Sequence, residues 1–366
     1  MEMNIKQIKD WGMNLPTDQP LIIAGPCSAE TEEQTLASCR GAAKAGAHIL
    51  RAGIWKPRTN PGSFEGIGEE GLPWMQQAKR ETGLPVTIEV ANAHHVRTAL
   101  AHGVDVLWIG ARTTVNPFAV QEIADALKYH DVPVMVKNPI NPDVKLWAGA
   151  IKRLYTVGIT RIAAIHRGFN TLAQKDVYRN PPHWGLALEL KKLIPGIEII
   201  GDPSHTGGKR ELLWSISKKG LDIGFSGLMI ESHVDPDNAW SDAAQQVTPV
   251  DLTHLLDSLL NRDKAPKTDA SNELQSWRTE IDLLDKSLIN ILTQRKEIVE
   301  QIAQFKQDNK IPIVQLGRWK EMMRARMEIG QNQGLNDKLV EGIFDAIHQD
   351  SVSYQREITT SEPAEA

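Results

Sequence analysis

The sequence has little cysteine, no long apolar run and no excess of positive charge, and each shortage disfavours a class of protein. Two cysteines, Cys27 and Cys39, in 366 residues do not make a disulfide framework, so reduced thiols are expected. The longest apolar runs, such as residues 21–24, are far shorter than the roughly 20 residues that span a bilayer. Residues 1–7 lack a signal-peptide pattern, so we predict a cytoplasmic protein with no membrane partner.

The charge balance disfavours another class of protein, those that bind nucleic acid non-specifically. A formal net charge of −5 argues against non-specific binding to nucleic acid, because any basic cluster must then be local. Local clusters favour small anionic ligands. A length of 366 residues allows two domains, one of them with a sizeable core.

The densest cationic stretch is a loop predicted after the second strand. Arg51, Lys56 and Arg58 fall within eight positions, and Pro57 and Pro61 stiffen the backbone around them. Arginine offers a planar fork for phosphate or carboxylate oxygens and lysine a compact point charge, so the mixture suits a ligand with both groups. A solvated basic loop is the alternative for this segment taken alone.

From residue 20 to residue 260, short apolar runs alternate with amphipathic helical stretches. The predicted strands are 21–24, 48–51, 86–89, 106–109, 134–137, 162–165, 198–200 and 228–231. About eight β/α units in this length favour a closed parallel barrel over an open doubly wound sheet. No GxGxxG segment follows the first strand. We therefore predict an α/β fold, a (β/α)8 TIM barrel followed by a smaller all-α helical domain.

Charged and polar residues recur where these strands end, which is where the active site of such a barrel lies. They are Cys27, Arg51, Lys56, Glu89, Arg112, Lys137, Arg167, Asp202, His205 and Glu231. A surface ion pair could explain any one of them. The whole set favours convergence on one pocket.

Three of these strand-end residues, together with Asp242 in the loop after the last strand, have side chains that bind metals. Cys27, His205, Glu231 and Asp242 could together hold one divalent ion, although they are far apart in sequence. The mixture of thiol, imidazole and carboxylate does not select among Mn²⁺, Fe²⁺, Co²⁺ and Zn²⁺. Taken singly, Cys27 could be a buried small hydrophobe and His205 a hydrogen-bonded turn histidine.

Five segments occur in the order typical of one enzyme family. They are Gly25-Pro-Cys-Ser28, Lys56-Pro-Arg-Thr59, Ile109-Gly-Ala-Arg112, Asp202-Pro-Ser-His205-Thr-Gly-Gly and Ile230-Glu-Ser-His233. Over residues 5–260 the chain resembles 3-deoxy-D-arabino-heptulosonate-7-phosphate (DAHP) synthase of the compact, barrel-only type I class. The resemblance implies metal-dependent condensation of phosphoenolpyruvate with erythrose 4-phosphate, giving DAHP and phosphate on the shikimate pathway to aromatic amino acids.

The matching motifs also imply roles for single residues. Cys27, His205, Glu231 and Asp242 would bind the metal. Phosphoenolpyruvate would be held by Arg51, Lys56, Arg112, Lys137 and Arg167, with Lys56 also catalytic. Arg58 and Thr59 would receive the sugar phosphate. A 3-deoxy-octulosonate 8-phosphate synthase is the rival, but its family has a Lys-Ala-Asn-Arg-Ser segment where this chain has Lys56-Pro-Arg-Thr59.

After residue 260 the composition changes to a polar stretch typical of a linker. Apolar spacing then predicts one long helix over residues 273–309 and shorter helices over 318–329 and 337–356. We call the apolar stripe of the long helix the seam: Ile281, Leu284, Leu288, Ile291, Ile298, Ile302 and Phe305. A helical dimerisation arm would explain the seam.

One residue does not suit a simple dimerisation arm. Arg295 lies within the seam between Ile291 and Ile298, where a buried guanidinium needs an anionic partner. Lys306 follows eleven residues later, about three helical turns, so both cations share one helix face.

Residues 273–358 resemble the all-helical chorismate mutases. The matching stretches are Leu274–Asp285, Gln294-Arg295, Lys306, Arg318 and Asp350–Gln355. The resemblance implies rearrangement of chorismate to prephenate in an interlocked homodimer. Chorismate would contact Arg278 of the opposite protomer, Arg295, Lys306, Arg318, Ser351 and Gln355, with Lys306 and Gln355 catalytic. Gln315 and Trp319 stand where the family usually has acidic residues, so weaker mutase activity is expected.

Two hypotheses follow. The first is a bifunctional enzyme. In the second, the helical domain mainly senses a ligand such as prephenate and holds the dimer together. The predicted boundaries are residues 1–262 for the barrel, 263–272 for a linker, 273–358 for the helical domain and 359–366 for a disordered tail.

Overall fold

The computed structural model describes residues 3–57, 62, 64–170, 177–260 and 270–360. By its internal contacts the chain divides into two compact units, Met1–Glu280 and Ile281–Ala366. The predicted boundaries of barrel, linker and tail stay predictions. Most of the predicted linker and tail lies outside the described residues, and the first helix of the second region begins at Ala270. No helix within the described ranges is both long enough and apolar enough to cross a membrane.

The first unit is a closed barrel of eight parallel strands in chain order, which confirms the predicted fold class. The strands are β1 Leu21–Gly25, β2 Ile49–Ala52, β3 Val86–Val90, β4 Val106–Ile109, β5 Val134–Lys137, β6 Ile162–His166, β7 Glu198–Gly201 and β8 Gly227–Glu231. β1 pairs with β8 over its full length, from Leu21 opposite Gly227 to Gly25 opposite Glu231. This pairing closes the barrel.

Helices follow the strands, and the longer ones cover the outside of the barrel. They are α1 Glu32–Lys44, α2 Gly71–Thr82, α3 Ala93–Ala101, α4 Ala111–Thr114, α5 Pro117–Leu127, α6 Val144–Thr156, α7 Trp184–Leu193, α8 Pro203–Gly207, α9 Leu213–Asp222 and α10 Pro249–Leu260. Side chains supply caps at several starts: Thr31 accepts from the Gln34 amide, and Asn92 accepts from the His95 amide. Such caps satisfy backbone donors that the first helical turn leaves free.

Two hydrophobic layers follow from the alternation of side chains along each strand. Leu21 and Ile23 of β1 point into the barrel, where they pack with Trp108 and Met229. Ile22 and Ala24 point outward and pack in the layer beneath the helices. Trp11, from the segment before β1, belongs to the interior cluster, so the N-terminal segment helps to fill the barrel.

The second unit is all-helical. Its elements are α11 Ala270–Asp308, which begins in the first unit, α12 Leu316–Asn332 and α13 Asp337–Thr360. Val299 and Ala303 of α11 and Val340 of α13 are buried there. The predicted seam of α11 is exposed instead: Leu284 is 62%, Ile291 59% and Phe305 61% exposed.

Candidate active sites

The strand-end residues converge, as the barrel topology requires. One polar cavity at the carboxyl ends of the strands is lined by Cys27, Arg51, Lys56, Glu89, Arg112, Lys137, Arg167, His205 and Asp242, together with Arg179. Glu231 and Asp202 are fully buried beside it. Side chains from distant parts of the sequence therefore share one pocket.

Three of the cations in this cavity are nearly completely buried: Arg51, Lys137 and Arg167. Arg51 lies 3.2 Å from Glu231 and Lys137 lies 2.8 Å from Asp202, nitrogen to oxygen, so these two cations have anionic partners. Burial lowers the pKa of the Arg167 guanidinium to about 10, which leaves it charged at neutral pH.

Arg51 retains free hydrogen-bonding capacity despite its ion pair. Its guanidinium lies 5.0 Å from the centre of the Trp108 ring, a cation–π distance. Its Nε and Nη1 atoms are buried without a hydrogen-bond partner among the described residues. Leaving two buried donors unpaired is costly, so an anionic ligand that accepts from both would be favoured.

The four metal-type side chains approach one another as two pairs. Cys27 Sγ lies 3.4 Å from Asp242 Oδ2, and His205 Nε2 lies 3.6 Å from Glu231 Oε1. That Glu231 oxygen is buried and makes no hydrogen bond in the described structure, but Arg51 Nη2 lies 3.2 Å from it in an ion pair. Within the described ranges, no three such groups form a ready metal-binding cluster. The donor chemistry of the four side chains fits a divalent ion.

The protonation states of these donors reflect their surroundings. Burial and the nearby Glu231 raise the pKa of the Cys27 thiol to about 12, so the thiol is protonated at neutral pH. Burial opposes ionisation of Glu231, but His205, Arg51 and Lys56 outweigh it and hold the pKa of Glu231 below its ordinary value. A carboxylate kept ionised in a buried position is suited to cation binding.

Lys56 lies against the thiol. Its ammonium donates to Cys27 Sγ at 2.6 Å, to the Cys27 carbonyl at 3.0 Å and to Ser241 Oγ at 3.2 Å. The preceding Trp55 stacks on His95 with ring centres 4.0 Å apart, which anchors the start of the loop. The predicted residues Arg58 and Thr59 of the same loop lie outside the described residues.

Sequence reasoning missed several polar residues around this cavity. Arg179 donates to Asp242 Oδ1 at 3.0 Å and to Gln245 Oε1 at 2.6 Å. Asn180 accepts from Arg167, and Gln245 donates to Glu231 Oε2 at 2.6 Å. These residues lie in bends and in a short 3-10 turn, where no apolar periodicity or strand end marks them.

The helical unit has its own cavity, with a volume of about 320 Å³. Its lining includes Arg295, Lys296, Asp350, Ser351 and Tyr354. Arg295 of α11 donates to the Ser351 hydroxyl of α13, and Ser351 in turn donates to the Ile347 carbonyl at 2.7 Å. Two of the predicted chorismate contacts, Arg295 and Ser351, are thus brought together.

Other predicted contacts lie outside that lining. Lys306 donates to the Ile313 carbonyl at 2.6 Å, and Gln355 is buried on α13. Arg318 is exposed and pairs with Glu321 at 3.0 Å. Arg278 is exposed on α11 and belongs to the first compact unit. A single chain therefore brings together some of the predicted chorismate contacts, and the others lie elsewhere.

The two positions that depart from the mutase pattern differ in their surroundings. Gln315 is exposed at the start of α12. Trp319 stacks on His348 of α13 with ring centres 3.9 Å apart. Neither of these two side chains supplies a carboxylate.

Comparisons with known proteins agree with this division of the chain. The model of the DAHP synthetase I family matches residues 7–267, and the model of chorismate mutase type II matches residues 277–356. A phospho-2-dehydro-3-deoxyheptonate aldolase of Thermotoga maritima is 30% identical over 226 residues, 62% of this chain and 64% of that protein. The chain therefore spans less than two thirds of that relative.

Two further likenesses concern the barrel. A 2-dehydro-3-deoxyphosphooctonate aldolase of Polaromonas naphthalenivorans is 28% identical over 282 residues, covering 70% of this chain and 95% of that protein. A crystal structure of the Thermotoga maritima phospho-2-dehydro-3-deoxyheptonate aldolase (DAHP synthase) superimposes with a TM-score of 0.62 at 26% identity. It covers 70% of this chain and 72% of that one.

Proposed function

Since the chain belongs to the DAHP synthetase I family and carries a chorismate mutase type II region, we propose a bifunctional enzyme of the shikimate pathway. The barrel would condense phosphoenolpyruvate with erythrose 4-phosphate to DAHP and phosphate. The helical unit would rearrange chorismate to prephenate. The observation that carries the barrel assignment is the buried Arg51, whose Nε and Nη1 atoms lack partners within the described structure.

Phosphoenolpyruvate carries a phosphate beside a carboxylate, so its site needs several cations. Arg51, Lys137 and Arg167 provide buried positive charge, and Arg112 and Lys56 add charge at the open side of the same cavity. A planar guanidinium pairs well with either anionic group. We assign these five residues to phosphoenolpyruvate, and Arg58 with Thr59 to the sugar phosphate.

The metal set is assigned by its donor chemistry. Cys27, His205, Glu231 and Asp242 would hold one divalent ion, for which Mn²⁺, Fe²⁺, Co²⁺ and Zn²⁺ are all suitable. When bound, such an ion supplies Lewis acidity that polarises an aldehyde oxygen. The ammonium of Lys56, 2.6 Å from Cys27 Sγ, adds a positive charge beside the same ligands and would stabilise negative charge that develops there.

The condensation joins two charged substrates. C3 of phosphoenolpyruvate would attack the aldehyde carbon, water would add at C2, and inorganic phosphate would leave. The pocket orients the enolpyruvyl group through its buried cations, and holding two substrates in reactive positions can supply much of the rate.

The mutase reaction needs no cofactor. Arg295 would bind a carboxylate of chorismate, as would Arg278 from a second protomer. Lys306 and Gln355 would donate hydrogen bonds to the ether oxygen as it gains negative charge. Arg318 and Ser351 would line the site. The direct support is the position of Arg295 and Ser351 in one cavity of suitable size.

We further propose a homodimer in the cytoplasm. The exposed seam of α11 is an apolar stripe that a second copy would cover. Cys27 and Cys39 are free, buried thiols, as a reducing compartment would keep them. The alternative role of the helical unit as a prephenate sensor makes a distinct prediction, which is that prephenate slows the barrel reaction.

The relatives that act on phosphooctonate make a five-carbon acceptor the second candidate. Assays with phosphoenolpyruvate should compare erythrose 4-phosphate with arabinose 5-phosphate, each with and without a chelator. We expect turnover with the four-carbon sugar and loss of turnover on chelation. Preference for the five-carbon sugar, or full turnover by metal-free protein, would refute the barrel assignment. Chorismate left unconverted by the same protein would refute the mutase assignment.

A further inference from the structure

Two adjacent glutamines, Gln245 and Gln246, are completely or almost completely buried behind the barrel cavity. Gln245 is the last residue of a short 3-10 turn, Ala243–Gln245, that begins directly after Asp242, and Gln246 follows the turn. The next residue, Val247, forms a parallel bridge with Ser232 at the end of β8. The two amides are therefore held between the end of the barrel and the loop that carries Asp242.

The orientation of the Gln245 amide is fixed by its neighbours. Arg179 can only donate, so the atom that accepts from it at 2.6 Å is Gln245 Oε1. The amide nitrogen must then point the other way, where it donates to Glu231 Oε2 at 2.6 Å. The same Arg179 nitrogen also donates to Asp242 Oδ1 at 3.0 Å. One amide thus connects the positions of two carboxylates, Glu231 and Asp242.

Gln246 holds Cys27, the third of the candidate metal ligands, in a similar way. Its Oε1 accepts from the Cys27 backbone amide at 2.9 Å, and its Nε2 donates to the Ser241 carbonyl at 2.9 Å. The Gln246 carbonyl accepts from Arg210 Nε at 2.6 Å, which secures the segment from outside. The residue that ties Cys27 to the loop of Asp242 is therefore itself hydrogen-bonded on three sides.

This arrangement directs the other oxygen of Glu231 toward two side chains that line the cavity. Because Oε2 accepts from Gln245, Oε1 faces His205 Nε2 at 3.6 Å and Arg51 Nη2 at 3.2 Å. We propose that Gln245 and Gln246 are positioning residues that set the separation of Cys27, Glu231 and Asp242 for a divalent ion. This inference rests on the proposed function, because it assumes that these side chains bind the metal.

Other side chains of similar size would not replace the two amides. A leucine at residue 245 would leave Glu231 Oε2 buried without a donor. A leucine at residue 246 would leave both the Cys27 amide and the Ser241 carbonyl unpaired. Hydrogen-bond partners of metal ligands typically change metal affinity by roughly 10–100-fold when they are removed.

The test is titration of the full-length, metal-free protein with Co²⁺, with the thiolate-to-cobalt absorption band and the dissociation constant as readouts. We expect Gln245→Leu and Gln246→Leu each to weaken Co²⁺ binding roughly 10–100-fold. The matched control is Gln76→Leu, because Gln76 lies on α2, is not part of the cavity lining, and has a buried amide nitrogen that makes no hydrogen bond in the described structure. Gln76→Leu should bind Co²⁺ like the wild type.

A double-mutant cycle separates positioning from a general loss of structure. In a Glu231→Ala background, Gln245→Leu should weaken Co²⁺ binding less than it does in the wild-type background, because only its contact through Arg179 to Asp242 remains. Gln246→Leu should keep its full effect there, since it acts on Cys27. An undiminished effect of Gln245→Leu in that background would overturn the role assigned to Gln245.

Arg179→Met provides a second variant should Gln245→Leu fail to fold, because the Arg179 side chain is 44% exposed and tolerates replacement. It removes the donor shared by Gln245 and Asp242, so weaker Co²⁺ binding is expected. Wild-type affinity in both Arg179→Met and Gln246→Leu would overturn this inference and leave the metal assignment in place. Absence of Co²⁺ binding by the wild-type protein would overturn the inference and the metal assignment together.

Discussion

Several ionisable side chains in the barrel are buried, and their surroundings differ. Arg51 and Lys137 each have a carboxylate partner and lie near the Trp108 ring. His166 is the opposite case. It is fully buried beside Trp184, with Nε2 2.6 Å from the Pro182 carbonyl. Burial lowers its pKa to about 4, although the hydrogen bond to Pro182 opposes the change.

The low pKa of His166 predicts that acid weakens the barrel. An unfolded histidine binds a proton below about pH 6.5. Folded His166 does so only near pH 4, so stability is lost as pH falls from 6.5 toward 4. This group should lower the free energy of unfolding by about 2 kcal/mol between pH 7 and pH 5.

Urea unfolding at the two pH values tests this. His166→Gln should lose about 2 kcal/mol less than the wild type between pH 7 and pH 5. His102→Gln is the control, because His102 is exposed at the end of α3. Equal pH dependence in His166→Gln and the wild type would show that His166 does not titrate as described.

At the scale of elements, the ends of the strands position the candidate active-site residues. Gly25 ends β1 opposite Glu231, two residues before Cys27, and has a φ of +146°. A Cβ atom there would lie 2.2 Å from the Arg51 carbonyl oxygen of β2. The close approach of β1 to β2 therefore depends on a residue without a side chain.

Gly25→Ala should destabilise the barrel by about 3 kcal/mol or more, because neither backbone can move without disturbing the sheet. Gly149→Ala is the matched control, since a Cβ on this glycine of α6 would meet nothing within 4 Å. That variant should gain about 0.5–1 kcal/mol. Thermal or urea unfolding measures both. Near-equal stability of the two variants would contradict the steric argument.

The α11 seam is the other element that predicts a measurable property. Leu288 is 48% exposed within it, so a lysine there should cost the chain little alone but disrupt a dimer. Sedimentation velocity should show Leu288→Lys shifted toward monomer. Thr293→Lys is the control, because residue 293 lies about 140° around the helix from residue 288. A dimer that persists in Leu288→Lys would place the interface elsewhere.

At the scale of the whole molecule, two cavities with different chemistry belong to separate compact units. The barrel cavity is dominated by buried ion pairs and candidate metal ligands. The helical cavity has cations and hydroxyl groups, which suits catalysis by electrostatic stabilisation alone. Each activity should therefore be removable without the other.

Two full-length variants test this separation. Lys56→Met should reduce DAHP formation by roughly 100-fold or more and leave chorismate conversion within about twofold. Arg295→Ala should do the reverse. If prephenate slows the barrel reaction, Arg295→Ala should also abolish that effect, because binding and response are linked. Loss of both activities in either variant would show that the units are not catalytically independent.

The sequence by itself determined the eight strands, the change to helices after residue 260 and most of the charged cavity residues. These features follow from local spacing of apolar residues and from the rule that parallel strands end on one side of a barrel. The long helix was predicted from residue 273, and the structure begins it at Ala270.

Only the tertiary structure decided which oxygen of Glu231 accepts from Gln245, that Arg179 contacts Asp242, and that the α11 seam is exposed. The residues that make these contacts are separated along the chain or lie in irregular loops, and their choice of partner depends on closure of the barrel and packing of the helices. The local spacing of apolar residues does not predict such contacts, because hydrogen bonds between side chains distant in sequence form only when the folded backbone brings them together.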